Sequence, residues 1–328
     1  MAVGHSRDRQ TLFMLESTEQ GELEALRPSA GVDESATPEM YEENLKPLPA
    51  GDFAKVFADQ LDAIDHGVSA HSPARITPAD VVQWARPEIQ PHLAAICRRL
   101  LLPGSVITGV EHLIELTQLA QSGKSCLICL NHRSNLDVPT LHVLLEDQFQ
   151  CEAFHRTIWI AGRKLSEDAG ATRLLVQAYN RIVVSPRSWM DGEHSNEELH
   201  EAHQINLAAL RAIHKLRYQG WVFALFPGGT RIRPQDASTR EAIPETDSYL
   251  KHFTFMVLGR IDGCTLPVSR DHDLTHETPT LNQVRFTFGA VRQTRDWRAH
   301  AASRFAGLNQ RAASARAIIE DIAEISPA

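Results

Sequence analysis

The chain has 328 residues, with 33 Lys and Arg against 41 Asp and Glu for a formal net charge of −8, and is 43% hydrophobic, 6% aromatic and 23% charged. That is enough chain for one large domain, or a large one and a small one, around a sizeable core. The acidic balance argues against a general nucleic-acid binder, which usually carries a basic one. The acidity is local: nine acidic residues and a single base, Arg27, between positions 16 and 45 account for all of it. The five cysteines (Cys97, Cys126, Cys129, Cys151 and Cys264) are odd in number and scattered, which fits a reducing compartment and no disulfide framework. The opening MAVGHSRDRQ lacks the apolar core of a secretory signal. No apolar run reaches the ~18–20 residues that span a bilayer. The expectation is a cytoplasmic chain without a transmembrane anchor, with peripheral contact at the inner face of the cell membrane left open.

In chain order, residues 1–45 read as an acidic, mobile arm. From Asp52, apolar residues at Phe53, Val56, Phe57, Leu61 and Ile64 recur at helical spacing. Thr77-Pro78 has the pattern of an N-cap followed by proline at the first helical position. Pro87 and Pro91 precede a second apolar face at Leu93, Ile96, Leu100 and Leu101, which Pro103-Gly104 ends. Residues 46–103 therefore predict a small all-helical N-terminal domain. A helix over Glu111–Gln121 follows, closed by Ser122-Gly123. Short apolar runs at Cys126–Leu130, Thr157–Ala161, Ile182–Ser185, Trp221–Phe226, Cys264–Val268 and Val284–Phe288 read as strands. Long helical stretches separate several of them. The clearest is Asn196–Gln219, opened by Ser195 and Glu198 in capping-box spacing. A last helix is expected over about Arg298–Ile325, packed on the outside. This alternation predicts an α/β domain over 104–328, with a mixed, largely parallel sheet flanked by helices.

Three segments carry groups suited to chemistry. His132 and Asp137 lie in Asn131-His132-Arg133-Ser134-Asn135-Leu136-Asp137, directly after the Cys126–Leu130 run. Sheets of this class place reactive groups beyond strand carboxyl ends. A turn there would let the carboxylate fix the imidazole tautomer and leave Nε2 free to take a proton. An Asp at a helix start is also an ordinary cap, and the spacing fits both roles. Phe226-Pro227-Gly228-Gly229-Thr230-Arg231-Ile232-Arg233 pairs a glycine turn with two guanidinium forks suited to phosphate. A turn with two solvated arginines fits that pattern equally. Asn180–Arg187 delivers Arg187 beyond another expected strand.

Together these segments resemble the glycerolipid acyltransferase family. His132 through Asp137 fits its His-x4-Asp motif, Phe226–Arg231 its Phe-Pro-x-Gly-Thr-Arg block, and Thr265-Leu266-Pro267-Val268 its later apolar-proline block. Trp159–Lys164, Asn180–Arg187 and Arg231–Pro234 look closest to the soluble plastid-type and related bacterial glycerol-3-phosphate 1-O-acyltransferases. The resemblance covers about residues 104–270.

It implies transfer of an acyl group from acyl carrier protein or coenzyme A to the sn-1 hydroxyl of glycerol 3-phosphate, the first step of phospholipid synthesis. His132 would be the general base and Asp137 its orienting partner. Arg187, Arg231 and Arg233 would hold the substrate phosphate, and Ser134, Gly228, Gly229, Thr230 and Pro267 would border the acyl-transfer pocket. No metal or cofactor is implied. The chain departs from the pattern at Gly228, where many members carry Glu, and at Ile232, where the plastid-type branch tends to have an acid. Where that branch carries a basic cluster, Arg187 stands alone near Ser188 and Trp189.

Other readings have less behind them. Cys126-x2-Cys129 would be half a zinc site with no second half. His200 and His203 share a helix face without a third ligand. Neither a Gly-x-Ser-x-Gly elbow nor a Gly-x4-Gly-Lys loop is present. The remaining rivals are sn-2 acylation of lysophosphatidic acid and non-catalytic binding of a lipid or phosphate on the same scaffold.

Overall fold

The computed structural model describes residues 46–47, 51–68, 75–149, 155–167, 171–233, 235–269 and 274–326, so the acidic stretch 1–45 lies outside the described residues. The strands are β1 (Lys46–Pro47), β2 (Val82–Gln83), β3 (Val106–Thr108), β4 (Cys126–Leu130), β5 (Thr157–Gly162), β6 (Arg181–Val184), β7 (Val222–Leu225), β8 (Phe255–Asp262), β9 (Thr280–Leu281), β10 (Arg285–Phe288) and β11 (Arg292–Gln293). The longer helices are α1 (Ala58–Val68), α2 (Gln90–Leu100), α3 (Val110–Gln121), α4 (Asp137–Phe149), α5 (Asn196–Leu216), α6 (Thr294–Arg304) and α7 (Gln310–Ala323).

Nine strands form one sheet in the order β2-β6-β5-β7-β4-β8-β10-β3, with β11 beside β8. β6, β5, β7, β4 and β8 run parallel, so their carboxyl ends share one edge. β4 is buried along its whole length, and its side chains alternate between two cores, as the pleat requires. Cys126, Ile128 and Leu130 join a cluster with Leu93 of α2, Leu116 of α3 and Leu141 of α4. Leu127 and Cys129 join the opposite cluster, with Ile205 and Ile213 of α5, Trp297 of α6 and Ile318 of α7. The result is a three-layer α/β/α arrangement, mostly parallel as expected. Among the described residues no helix is long and apolar enough to cross a membrane.

The expected strand at Cys126–Leu130 matches β4, and β5, β6, β7 and β10 fall within a residue or two of their apolar runs. Ser195 caps α5 as the spacing predicts, its Oγ accepting from Glu198 N while Ser195 N donates to the Glu198 carboxylate at 2.8 Å.

Four expectations change. Cys264–Val268 is irregular chain, and the strand is the preceding Phe255–Asp262. Gly259, Arg260 and Asp262 hide that strand from an apolar-run reading. Gly259 is needed because a Cβ there would lie 2.5 Å from Leu130 Cδ2 and 2.7 Å from the Phe288 ring. Thr77-Pro78 opens a turn rather than a helix, because Asp80 N returns to Thr77 O and Thr77 Oγ1 donates to Asp80. The last helix is two, broken at residues 305–309, where the Asn309 side chain caps α7 by accepting from Ala312 N. Its inner face packs against the sheet, with Ala317 and Ile318 at 0% exposure. Residues 51–103 are mainly helical, but Val82–Gln83 add an antiparallel edge strand beside β6. Phe53, Phe57, Ile64 and Leu93 enter the same cluster as Leu130.

Candidate active site

The segment directly after β4 forms the centre of the parallel edge. Asn131 extends the strand with its side chain: its carboxamide accepts from Ile261 N at 2.6 Å and donates to Ile261 O at 2.9 Å. This two-way clamp to β8 fixes the point from which His132 projects. The chain then turns so that Asp137 opens α4. Asp137 Oδ2 accepts from Arg133 N at 2.7 Å, Ser134 N at 3.0 Å and His132 Nδ1 at 2.8 Å. Two of these donors are backbone N–H groups, so the carboxylate closes the turn as well as meeting the imidazole. An ionised carboxylate only accepts, so the imidazole proton belongs on Nδ1 and Nε2 carries the lone pair. The Asp137 side chain is 5% exposed and that of His132 is 17%. One carboxylate thus serves as turn former and as partner to the imidazole.

Ser134 is a local turn residue here, its Oγ accepting from Leu136 N at 3.0 Å. The block after β7 docks on the dyad in two ways. Phe226 stacks flat on the His132 ring, with centroids 3.9 Å apart and 7° between planes, and Trp159 of β5 stacks behind Phe226 at 5.3 Å. Ile232 N donates to His132 O at 2.8 Å. Between them the chain reverses through Gly229, which has φ +64° and whose N–H returns to Phe226 O. A Cβ on Gly228 would lie 3.2 Å from Glu241 O, so the chain at 237–241 closes over this position. Cys264, the residue before the Pro267 block, reaches this edge, its Sγ 3.6 Å from Arg133 O. Burial, aided by the Asp137 charge, pushes the Cys264 thiol up to about 12. It is therefore no ready nucleophile.

The cationic residues divide. Arg231 and Arg233 are partly exposed, at 13% and 29% of their side chains, on the loop joined to His132. Arg231 Nη1 binds the carboxylate of Glu277, which is 0% exposed. Arg233 Nη2 donates to Thr230 Oγ1 at 3.4 Å. Arg187 lies farther out, 62% exposed and 3.5 Å from both Asp191 and Glu245. No contact among the described residues joins it to His132, Arg231 or Arg233. Two other bases in the motif segments are structural. Arg163 is buried, bound through two N–H groups to Glu167 and packed over Trp189. Arg181 begins β6, at the end away from the site; burial lowers it to about 10, and it donates to Val176 O. Lys164 opens a short helix after β5.

Cys126 and Cys129 point into opposite cores, which rules out their sharing one ion. His200 and His203 remain on the exposed face of α5. The clamp by Asn131, the Phe226 stack and the Glu277 pair were not assigned from sequence. Asn131 and Phe226 stand beside the motif residues, whereas Glu277 is 46 positions from Arg231 with no pattern around it.

Residues 108–267 match the family model described as Acyltransferase, a stretch that holds β4 through β8, the dyad, both loop arginines and Pro267. No curated protein matches the chain.

Proposed function

Taking the acyltransferase domain over residues 108–267 as premise, we propose that this protein transfers an acyl group from acyl carrier protein or coenzyme A to the sn-1 hydroxyl of glycerol 3-phosphate. The observation that carries the reading is the oriented dyad, His132 Nδ1 to Asp137 Oδ2 at 2.8 Å, joined by the Ile232–His132 hydrogen bond to a loop bearing two arginines. His132 Nε2 takes the proton of the acceptor hydroxyl as its oxygen attacks the thioester carbonyl. The C–S bond then breaks, and the sulfur leaves with the proton from the imidazolium. Asp137 holds the ring and balances its transient charge. Arg231 and Arg233 bind the acceptor phosphate, and Arg187, at the rim, meets the donor or an anionic membrane surface. No described helix can span a bilayer, which favours a small water-soluble acceptor over one embedded in lipid.

The test offers glycerol 3-phosphate and lysophosphatidic acid, each with acyl-CoA and acyl carrier protein donors, and identifies the products. Lysophosphatidic acid from glycerol 3-phosphate is the expected result. Phosphatidic acid as the sole product would make the acceptor lysophosphatidic acid. Phosphate binding with no thiol released would leave a binding protein on this scaffold.

A further inference from the structure

Glu277 is a charge in an expensive place, because a fully buried carboxylate is tolerated only with a well-placed partner. Its backbone is held from two sides. Glu277 N donates to Leu274 O at 3.1 Å, and Phe53 N donates to Glu277 O at 2.8 Å. Leu274 and Phe53 are themselves buried in the core cluster that contains Leu130. The carboxylate is therefore a fixed point, built from the N-terminal region and from chain beyond the matched residues 108–267.

Arg231 is the opposite kind of residue. It is a long side chain with large rotamer freedom, on a loop pinned to His132 through Ile232. Among the described residues only its Nη1 is engaged, by Glu277, and the other guanidinium N–H groups remain available to an anion. Anchoring one nitrogen of a planar fork sets the direction of the others, which is the condition for two-point phosphate binding.

We propose that Glu277 is the positioning residue of the acceptor site, holding Arg231 so that its uncommitted N–H groups meet the substrate phosphate. This rests on the acceptor reading above and adds a residue that the motifs do not contain. Glu277 acts through Arg231 and touches no reacting atom, so it governs acceptor binding rather than the chemical step.

The test is steady-state kinetics in glycerol 3-phosphate at saturating donor, for Glu277→Ala and Glu277→Gln in the wild-type and Arg231→Ala backgrounds. Loss of a hydrogen bond to a charged group predicts that Glu277→Ala raises KM about tenfold, with kcat within about threefold. Glu277→Gln keeps an acceptor for Nη1 and holds KM within about threefold. In the Arg231→Ala background neither substitution changes KM further. An unchanged KM in Glu277→Ala, an equal rise in both backgrounds, or a glutamine variant as impaired as alanine overturns the proposal. If the alanine variant does not fold, Glu277→Asp takes its place: the carboxylate retracts by one methylene, and KM must rise at constant kcat, an unchanged KM again overturning the role. Wild-type protein that acylates no acceptor refutes the acceptor reading and this inference with it. Active wild type with silent Glu277 variants refutes Glu277 alone.

Discussion

Asp137 and Asp247 are equally buried, at 4% exposure each, and differ in what they hold. Asp247 accepts Arg298 Nε at 2.7 Å, Arg298 Nη2 at 2.8 Å and Ser314 Oγ at 2.7 Å, tying α6 and α7 to the short helix it sits on. Nearby Asp321 does the same with Trp297, Arg292 and Arg304. In these networks the carboxylate's partners are donors that complete it, and the product is a fixed junction between elements. The hydrogen bonds of Asp137 lead instead to His132, whose second nitrogen is left for a proton. A completed network stabilises, whereas one that ends on an open valence can do chemistry. A surface hollow of about 530 Å³ is lined by Arg292, Arg304 and Asp321 of the completed network and by neither member of the dyad.

The contrast can be broken at either end. His132→Ala removes the base and leaves the turn that Asp137 makes with Arg133 N and Ser134 N. Turnover should fall by ~10²–10⁴ with the thermal midpoint nearly unchanged. Near-normal turnover in that variant would end the catalytic role of the dyad. Asp247→Ala should reverse the pattern. It strands Arg298 in a half-buried setting and costs roughly 3–5 kcal/mol of stability in urea unfolding. Activity per folded molecule should stay at the wild-type level, and a selective fall in kcat would show that the two networks are coupled.

A smaller effect concerns acid. His142 lies on α4, five residues after Asp137, with its ring against Tyr179 at 4.3 Å. Burial, then His155, lowers its pKa to about 3, whereas the unfolded residue titrates near 6.5. Between those values the unfolded chain binds the extra proton, so stability falls as pH drops through that window. The slope is at most about 1.4 kcal/mol per pH unit for one proton. His142→Phe keeps a ring in place and should flatten the slope measured by denaturation between pH 7 and pH 4. His252, lowered to about 4 by burial and by His214, still contributes, so the slope shrinks without vanishing. Equal slopes in both proteins would assign the acid sensitivity elsewhere.

The local rules were legible because each rests on neighbours in sequence. Apolar runs placed β4, β5, β6, β7 and β10 within a residue or two, and Ser195 with Glu198 placed the start of α5. Five-residue spacing put Asp137 within reach of His132, since a turn and a helix start fold that stretch on itself. β8 escaped because its apolar run is broken by Gly259, which is there to make room for Leu130 and Phe288 from other strands. Thr77-Pro78 has the letters of a helix start, yet Asp80 closes a turn instead.

What the sequence by itself determined is the alternation of strands and helices, the chemical identity of the dyad and the glycine turn beside two arginines. Those features depend on groups a few residues apart, where covalent geometry limits the outcomes. Only the tertiary structure decided which bases face the edge. Arg163 is buried over Trp189 and 3.7 Å from Glu201, and Arg181 is buried where Gln83 of the added edge strand pairs with it. It alone brought Phe226 onto His132 and Glu277 beneath Arg231. Burial and charge pairing are set by elements tens to hundreds of residues apart, and no local pattern encodes which of them will meet.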